Sequence, residues 1–327
     1  MQDQGYIRDI PFIKLQINPI QYNPNDKVIT IYAEITIQIA WSQNDPIQVD
    51  PDFSTSSFYP YYQSIFTNWQ EFIDTTNIQS TPRPLAEPLA GCDYLIITHP
   101  NFLCAAETLA TWKDQKGIVT TVVDTIKTGS TAENIRAFIQ HGYDTWTTKP
   151  SYLLFVGDVE YVPTNYLFIH PYHGSETATD LWYGTVSGDD HHPDIFIGRL
   201  SADTAQEAML LVEKIIKYEQ TPPALSTFYS NVSVAAYFQD RNPQDGYEDR
   251  RFVLTSEEIR DYLLLKSFDV QRIYYTEHEV DPTNYNDGYY ANGEPLPPEL
   301  LKPGFPWDGN HIDISTAINA GTLLLNH

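Results

Sequence analysis

This sequence predicts an α/β protein: two tandem, mostly parallel sheets flanked by helices and preceded by a small β unit. Three observations carry that reading. From Asp93 onward, short apolar runs such as Tyr94–Thr98 and Tyr152–Val156 alternate with amphipathic stretches of helical period, as in a parallel sheet wrapped by helices. After Pro222-Pro223 the alternation starts again at Val232–Ala236. The opening residues differ, since they alternate at period two and carry no helical stripe.

Residues 1–50 read as a β-hairpin unit. Ile29, Ile31, Ala33, Ile35, Ile37, Ile39 and Trp41 share one face of a strand over Val28–Trp41. Ile13, Leu15 and Ile17 form a similar stripe upstream, with Asn23-Pro24-Asn25-Asp26 as the turn. Residues 51–92 are rich in Pro and Ser and read as a linker, interrupted by one short helix near Gln63–Ile73. Arg83 within it is either a processing point or an ordinary loop arginine.

The first α/β unit spans 93–225. Its strands are Tyr94–Thr98, Ile118–Val123, Tyr152–Val156 and Ile195–Ile197. Between them lie a helix over Ala105–Lys116 closed by Gly117 and one opened by Ser130-Thr131-Ala132-Glu133 that runs to Tyr143. A third helix, capped by Asp203-Thr204-Ala205-Gln206, runs to Tyr218 with Ala208, Leu211, Val212 and Ile215 on one face. The second unit spans 226–327: a strand at Val232–Ala236, a helix opened by Thr255 with Glu258, and a strand at Gln271–Tyr275. A short helix capped by Asp313 and ended by Gly321 then leads into a buried strand over Thr322–Leu325. That strand delivers Asn326-His327 to the carboxyl edge, where open α/β sheets gather their chemistry.

Composition narrows the partners. With 43 Asp+Glu against 19 Lys+Arg the formal charge is -24, which disfavours nucleic acid backbones and anionic membranes. No apolar run approaches the ~18 residues of a membrane span. Two cysteines, Cys92 and Cys104, make no disulfide framework and read as core or surface filler.

Three polar clusters can carry chemistry. Asp189, Asp190 and Asp194, with His191 and His192, precede the fourth strand; oxygen ligands favour Ca²⁺ and the histidines allow Zn²⁺, while a structural turn explains the same residues. The second cluster follows Val232–Ala236: Gln239, Asp240, Asp245, Glu248 and Asp249, beside Arg250 and Arg251. An acid there orients an imidazole or floors a pocket for a cationic substrate; alternatively Asp249 pairs with Arg250 or Arg251. The third is Asn326-His327 itself. No G-x-S-x-G, phosphate-binding loop or G-x-G-x-x-G occurs.

Several landmarks together resemble the gingipain-like cysteine peptidases. Gly5-Tyr6-Ile7-Arg8-Asp9 and Asn18-Pro19-Ile20-Gln21-Tyr22-Asn23-Pro24 resemble the end of that family's propeptide. Tyr94-Leu95-Ile96-Ile97-Thr98, Trp112-Lys113-Asp114-Gln115-Lys116-Gly117, Phe155-Val156-Gly157-Asp158 and Ile195-Phe196-Ile197-Gly198-Arg199-Leu200-Ser201 are similar to its first catalytic subdomain. Ala317-Ile318-Asn319-Ala320-Gly321 and Thr322-Leu323-Leu324-Leu325-Asn326-His327 resemble the run into its catalytic histidine.

The resemblance implies a caspase-like fold, extracellular or cell-surface endopeptidase activity on protein or peptide substrates, a structural Ca²⁺ and a Cys–His dyad. The histidine is expected about three residues after His327 and the cysteine after the next strand, so the chain starts inside a propeptide, ends inside a catalytic subdomain and is inactive alone. It also makes the rest of the catalytic domain a partner. By the same resemblance Asp240 is the acid that orients the histidine, and Asp249 the acid that meets a basic substrate side chain. Two other classes compete: a non-catalytic secreted scaffold with the same fold, and a metal-dependent hydrolase built on Asp189, Asp190, His191 and His192.

Overall fold

The computed structural model describes residues 3–24, 26–37, 47–49, 53–76, 78–80, 91–167, 176–241, 244–286 and 293–327. The chain divides into two compact units, Met1–Lys217 and Tyr218–His327.

The first unit is built on a four-stranded parallel sheet. Its strands are β7 (Tyr94–Thr98), β8 (Thr120–Asp124), β9 (Tyr152–Val156) and β12 (Phe196–Leu200), in the order β12-β9-β7-β8. Side chains alternate across the sheet as the pleat requires. Leu95, Ile97, Leu153 and Phe155 meet Ile135, Ile139 and Tyr143 of helix α5 (Ala132–Thr145) on one face. Ile96, Leu154 and Val156 meet α3 (Leu103–Gln115) and α6 (Ala205–Gln220) on the other. Both faces are therefore covered, which is why these strands are nearly continuous apolar runs.

The ends of these helices follow local chemistry. Gly117 takes φ +83°, closing α3 in the left-handed conformation that costs glycine nothing. For α5 the cap is Thr131, whose hydroxyl accepts the Asn134 N–H at 3.3 Å. At α6 Thr204 and Glu207 exchange hydrogen bonds, the side chain of each accepting the N–H of the other at 3.2 Å.

Residues 51–80 are not a plain linker. Strand β5 (Ile47–Val49) pairs in parallel with β6 (Ile78–Ser80), and two helices lie between them, α1 (Tyr59–Ile65) and α2 (Trp69–Thr75), where one was expected. Phe58, Tyr62 and Trp69 are buried with Ile7, Ile10 and Val49 in a core of their own. Pro and Ser content concealed that aromatic spacing, and aromatic burial overrode it. Arg83 lies outside the described residues.

The N-terminal strands form two hairpins, not one. Strand β1 (Asp3–Ile7) pairs with β2 (Ile10–Lys14), and β3 (Ile20–Asn23) with β4 (Val28–Ile31) around the expected turn. The long alternating strand ends at Ile31 among the described residues; Ile39 and Trp41 fall outside them. Neither face of β3–β4 is buried, and Ile29 and Ile31 are 62% and 70% exposed. A small hairpin, β10 (Asn165–Leu167) with β11 (Thr177–Thr179), and the short helix α4 (Thr125–Thr128) complete the unit.

The second unit is a three-stranded parallel sheet, β13 (Asn231–Tyr237) between β14 (Asp269–Tyr275) and β15 (Leu324–Asn326). Helix α7 (Phe252–Leu265) covers one face through Val253, with Val232, Val234 and Phe238. Helix α8 (His311–Ala320) covers the other through Ala317, with Ala235 and Ile273. Two helix starts differ from expectation. Helix α8 is capped by Asn310, whose side chain accepts from Ile312 N–H at 2.8 Å, while the Asp313 carboxylate accepts the Asn310 N–H. Helix α7 opens before Thr255, because a buried carboxylate upstream takes its first N–H groups.

Candidate functional site

Parallel pairing sets where the site can form. The register Val232↔Leu324, Ser233↔Leu325, Val234↔Asn326 lays β15 beside β13, running the same way. Asn326-His327 therefore leaves toward the edge from which β13 enters its long following loop.

That loop is tied together by its own acids. Asp240 is 1% exposed and accepts N–H bonds from Asp245 at 3.3 Å and Gly246 at 2.9 Å. Burial pushes its carboxyl upward, with the two backbone bonds pulling the other way. Gly246 sits at φ +86°, and a Cβ there would lie 2.5 Å from Thr283 Oγ1. Its carbonyl accepts from Thr283 N, Thr283 Oγ1 and Asn284 N, which binds the loop after β13 to the loop after β14.

Glu248 is the hub. It is fully buried, and its two carboxylate oxygens accept from Val253 N at 2.6 Å and Leu254 N at 3.4 Å. Those are orphan donors of the first turn of α7. Burial raises its carboxyl to about 7 despite them. Asn286 Nδ2 donates to the Glu248 carbonyl at 2.8 Å and adds a second tie between the loops.

Asp249 follows, half-buried. Its Oδ2 accepts the Arg241 N–H at 2.8 Å, and its own N–H donates to Gln239 O at 2.7 Å. It does not pair with Arg251, which reaches Glu258 at 3.3 Å on the surface. Asp240 and Asp249 thus stand on one loop, held by backbone donors at the edge that β15 approaches.

Sequence reading missed two neighbours at this edge. Tyr237, the last residue of β13, donates its hydroxyl to Glu277 Oε1 at 2.5 Å, and Glu277 Oε2 is buried with no hydrogen-bond partner among the described residues. Glu277 follows the end of β14 as Asp240 follows β13, and that offset was the available signal. Glu257 on α7 was missed too: it accepts from Arg272 Nε at 2.8 Å, from Arg272 Nη2 and from the Tyr274 hydroxyl, clamping α7 to β14.

The other clusters go elsewhere. Asp194 is fully buried; its Oδ1 accepts Arg8 N–H at 2.7 Å and its Oδ2 accepts Val186 and Ser187 N–H at 2.8 Å each. Burial raises it to about 6. Asp190 accepts from Tyr6 and His192 N–H at 2.8 Å each, and Asp189 is exposed. The Asp190 and Asp194 oxygens are taken up by backbone donors, a poor match to a Ca²⁺ ligand set, and among the described residues Asp189, Asp190 and Asp194 do not gather as a metal group. Among the described residues the acids that do converge are Asp158, Glu160 and Asp203, with ligand atoms within 4.8 Å of one another. Cys92 is buried and its thiol pushed up to about 11, mainly by that burial, while Cys104 is exposed and both are free. A shallow pocket beside Asn231, Asp269 and Gly321 lies at the opposite, amino edge of the second sheet. Among the described residues no helix is long and apolar enough to cross a membrane.

Known proteins resemble this chain along most of its length. Residues 87–327 match the family model described as peptidase family C25, and residues 1–61 match that of the C25 propeptide. Gingipain R2 of Porphyromonas gingivalis (strain ATCC BAA-308 / W83) is 27% identical over 225 residues, covering 67% of this chain and 28% of its own length. Lys-gingipain of the same species (strain ATCC 33277) is 25% identical over 261 residues, covering 76% of this chain and 14% of its own. The chain thus spans less than a third of the length of these relatives. A crystal structure of the Arg specific cysteine proteinase gingipain R (RgpB) aligns with a TM-score of 0.46 at 22% identity, over 62% of this chain and 44% of that one. With one family model running across both helix-flanked sheets and the propeptide model across the N-terminal strands, the chain belongs to peptidase family C25, the gingipain-like cysteine peptidases.

Proposed function

We propose that this chain is the N-terminal part of an extracellular or cell-surface cysteine endopeptidase with the caspase-like fold, whose Cys–His dyad follows residue 327. The observation that carries the reading is the parallel β13–β15 register, which aims the chain at the edge holding Asp240 and Asp249. Extending that register by its constant offset of 92 (326 − 234) brings position 330, where the family histidine is expected, level with Phe238.

In the proposed reaction a cysteine thiolate attacks the scissile carbonyl, and an imidazole protonates the leaving amine. Backbone N–H groups stabilise the oxyanion. Asp240 is the acid that orients that imidazole, and Asp249 offers its remaining carboxylate oxygen to a basic side chain of a protein or peptide substrate. The remainder of the catalytic domain is the partner this edge requires. The charge of -24 disfavours nucleic acid as a partner. Thiol chemistry needs no metal; a structural Ca²⁺ enters only through the family resemblance, and none of Asp189, Asp190 and Asp194 is assigned to it.

The test compares two proteins on peptides containing Arg or Lys. The 327-residue chain is expected to show no hydrolysis, and the same chain extended through the next ~60 residues is expected to cleave and be blocked by a thiol reagent. Hydrolysis by the short chain, or an extended sequence lacking histidine and cysteine, defeats the reading; the latter outcome favours the scaffold.

A further inference from the structure

The direction of Asp249 is set by a segment outside its own loop. The peptide unit joining Glu248 to Asp249 is planar, so fixing its two polar groups fixes the plane from which the Asp249 side chain departs. Its N–H, on Asp249, donates to Gln239 O at 2.7 Å, within the loop after β13. Its carbonyl, on Glu248, accepts no backbone N–H among the described residues. The donor comes instead from the excursion after β14, where Asn286 Nδ2 reaches that carbonyl at 2.8 Å. Asn286 is only 5% exposed. A buried amide costs stability unless it is bonded, and an apolar residue would fill the same space without that cost. What the amide adds is a hold on one carbonyl.

The excursion is itself anchored along this segment. Glu248 N–H donates to Asn284 O at 3.2 Å, while Thr283 N, Thr283 Oγ1 and Asn284 N converge on the Gly246 carbonyl. A later part of the same excursion braces it: Leu296 N–H meets Thr283 O and Tyr285 N–H meets Glu294 O, both at 2.8 Å. Leu296 and Leu300 are buried with Val253 of α7. At the other end, Asp249 Oδ2 accepts Arg241 N–H at 2.8 Å, and Oδ1 takes no hydrogen bond among the described residues. One carboxylate oxygen is thus presented by a frame that begins at Asn286.

We propose that Asn286 is a positioning residue for substrate selection: by holding the Glu248 carbonyl it aims the Asp249 carboxylate, so the excursion after β14 sets how strongly a basic side chain is bound. This rests on the reading of Asp249 given under the proposed function. A carboxylate aimed in advance binds without first losing its own freedom, whereas a swinging one forfeits part of the attraction. Because the basic side chain of the substrate does not react, the contribution falls on KM and not on kcat.

Two measurements test it. Asn286→Ala is made in the chain extended beyond residue 327 and assayed on peptides containing Arg or Lys. KM is expected to rise about tenfold, with kcat within about twofold of wild type. A merely structural lesion lowers the active fraction, and with it kcat, at unchanged KM. In the 327-residue chain, deuterium exchange at the Asp249 and Arg241 amides is expected to be about fivefold faster in Asn286→Ala, with the amides of β13 at wild-type rates. If Asn286→Ala impairs folding, Thr283→Val removes one donor to Gly246 at constant shape and is read the same way, with smaller changes. A loss confined to kcat, an unchanged KM, or wild-type exchange at Asp249 and Arg241 overturns the inference. If the extended wild type cleaves nothing, the peptidase reading fails, and the exchange rates alone decide whether Asn286 holds Asp249.

Discussion

Replacing Glu248 by Gln should stabilise the second unit increasingly as pH rises from 4.5 to about 7. Burial raises the Glu248 carboxyl from its ordinary 4.5 to about 7. The folded state therefore binds a proton that the unfolded chain releases, over the window between those two values. Stability from this group is complete below pH 4.5 and is lost as pH rises through 7. Between pH 5.5 and pH 8 the wild type crosses about 1.5 units of that window, worth about 2 kcal/mol. Glutamine keeps an acceptor for Val253 N–H at the same site and does not titrate. The variant-minus-wild-type difference should then grow by about 2 kcal/mol from pH 5.5 to pH 8. Any titration of Asp194 is common to both proteins and cancels. Glu248→Ala separates the two roles: it strands the Val253 and Leu254 N–H groups and should cost about 1–3 kcal/mol, even at pH 5.5. The assay is urea unfolding read by pulsed hydrogen exchange on peptides from α7, so that the transition belongs to the second unit. An equal spacing of variant and wild type at both pH values would refute the buried-carboxylate argument.

Two further outcomes follow from the same structure. Glu257→Ala leaves the Arg272 guanidinium, 14% exposed, without its bidentate partner and should cost about 3–5 kcal/mol in urea unfolding. Burial alone would raise Glu257, but the bonds from Arg272 and Tyr274 prevail and hold it below 4.5, so this clamp weakens only as pH falls through that lowered value. A shift of its loss toward neutral pH would contradict the assignment. Second, a thiol reagent at pH 8 should label Cys104 rapidly and Cys92 only on unfolding, because the Cys92 thiol is buried and raised to about 11. Two equally fast thiols in the native chain would show the first sheet to be open.

Much of this protein is decided by short-range pattern. Tyr94–Thr98 and Tyr152–Val156 are strands with those very bounds, since a run buried on both faces has no competing period. Gly117 and Gly321 mark helix ends because capping is a matter of a few adjacent residues, and the cap read over Asp203–Gln206 is made by Thr204 with Glu207. The acids after β13 were also legible as a cluster, but their division of labour was not. Glu248 caps α7 and Asp194 receives the Arg8 turn, and neither role can be read from neighbours in sequence. In each case a carboxylate meets donors that only folding brings within 3 Å. The same holds for residues 53–80, where Pro and Ser suggested a linker and the aromatic rings found one another instead. From Asp93 onward the sequence alone marked the main strands and helices, because periodicity and capping act over one or two turns. Tertiary structure alone decided which carboxylate does what, because a buried charge is tolerated only where distant backbone donors converge on it.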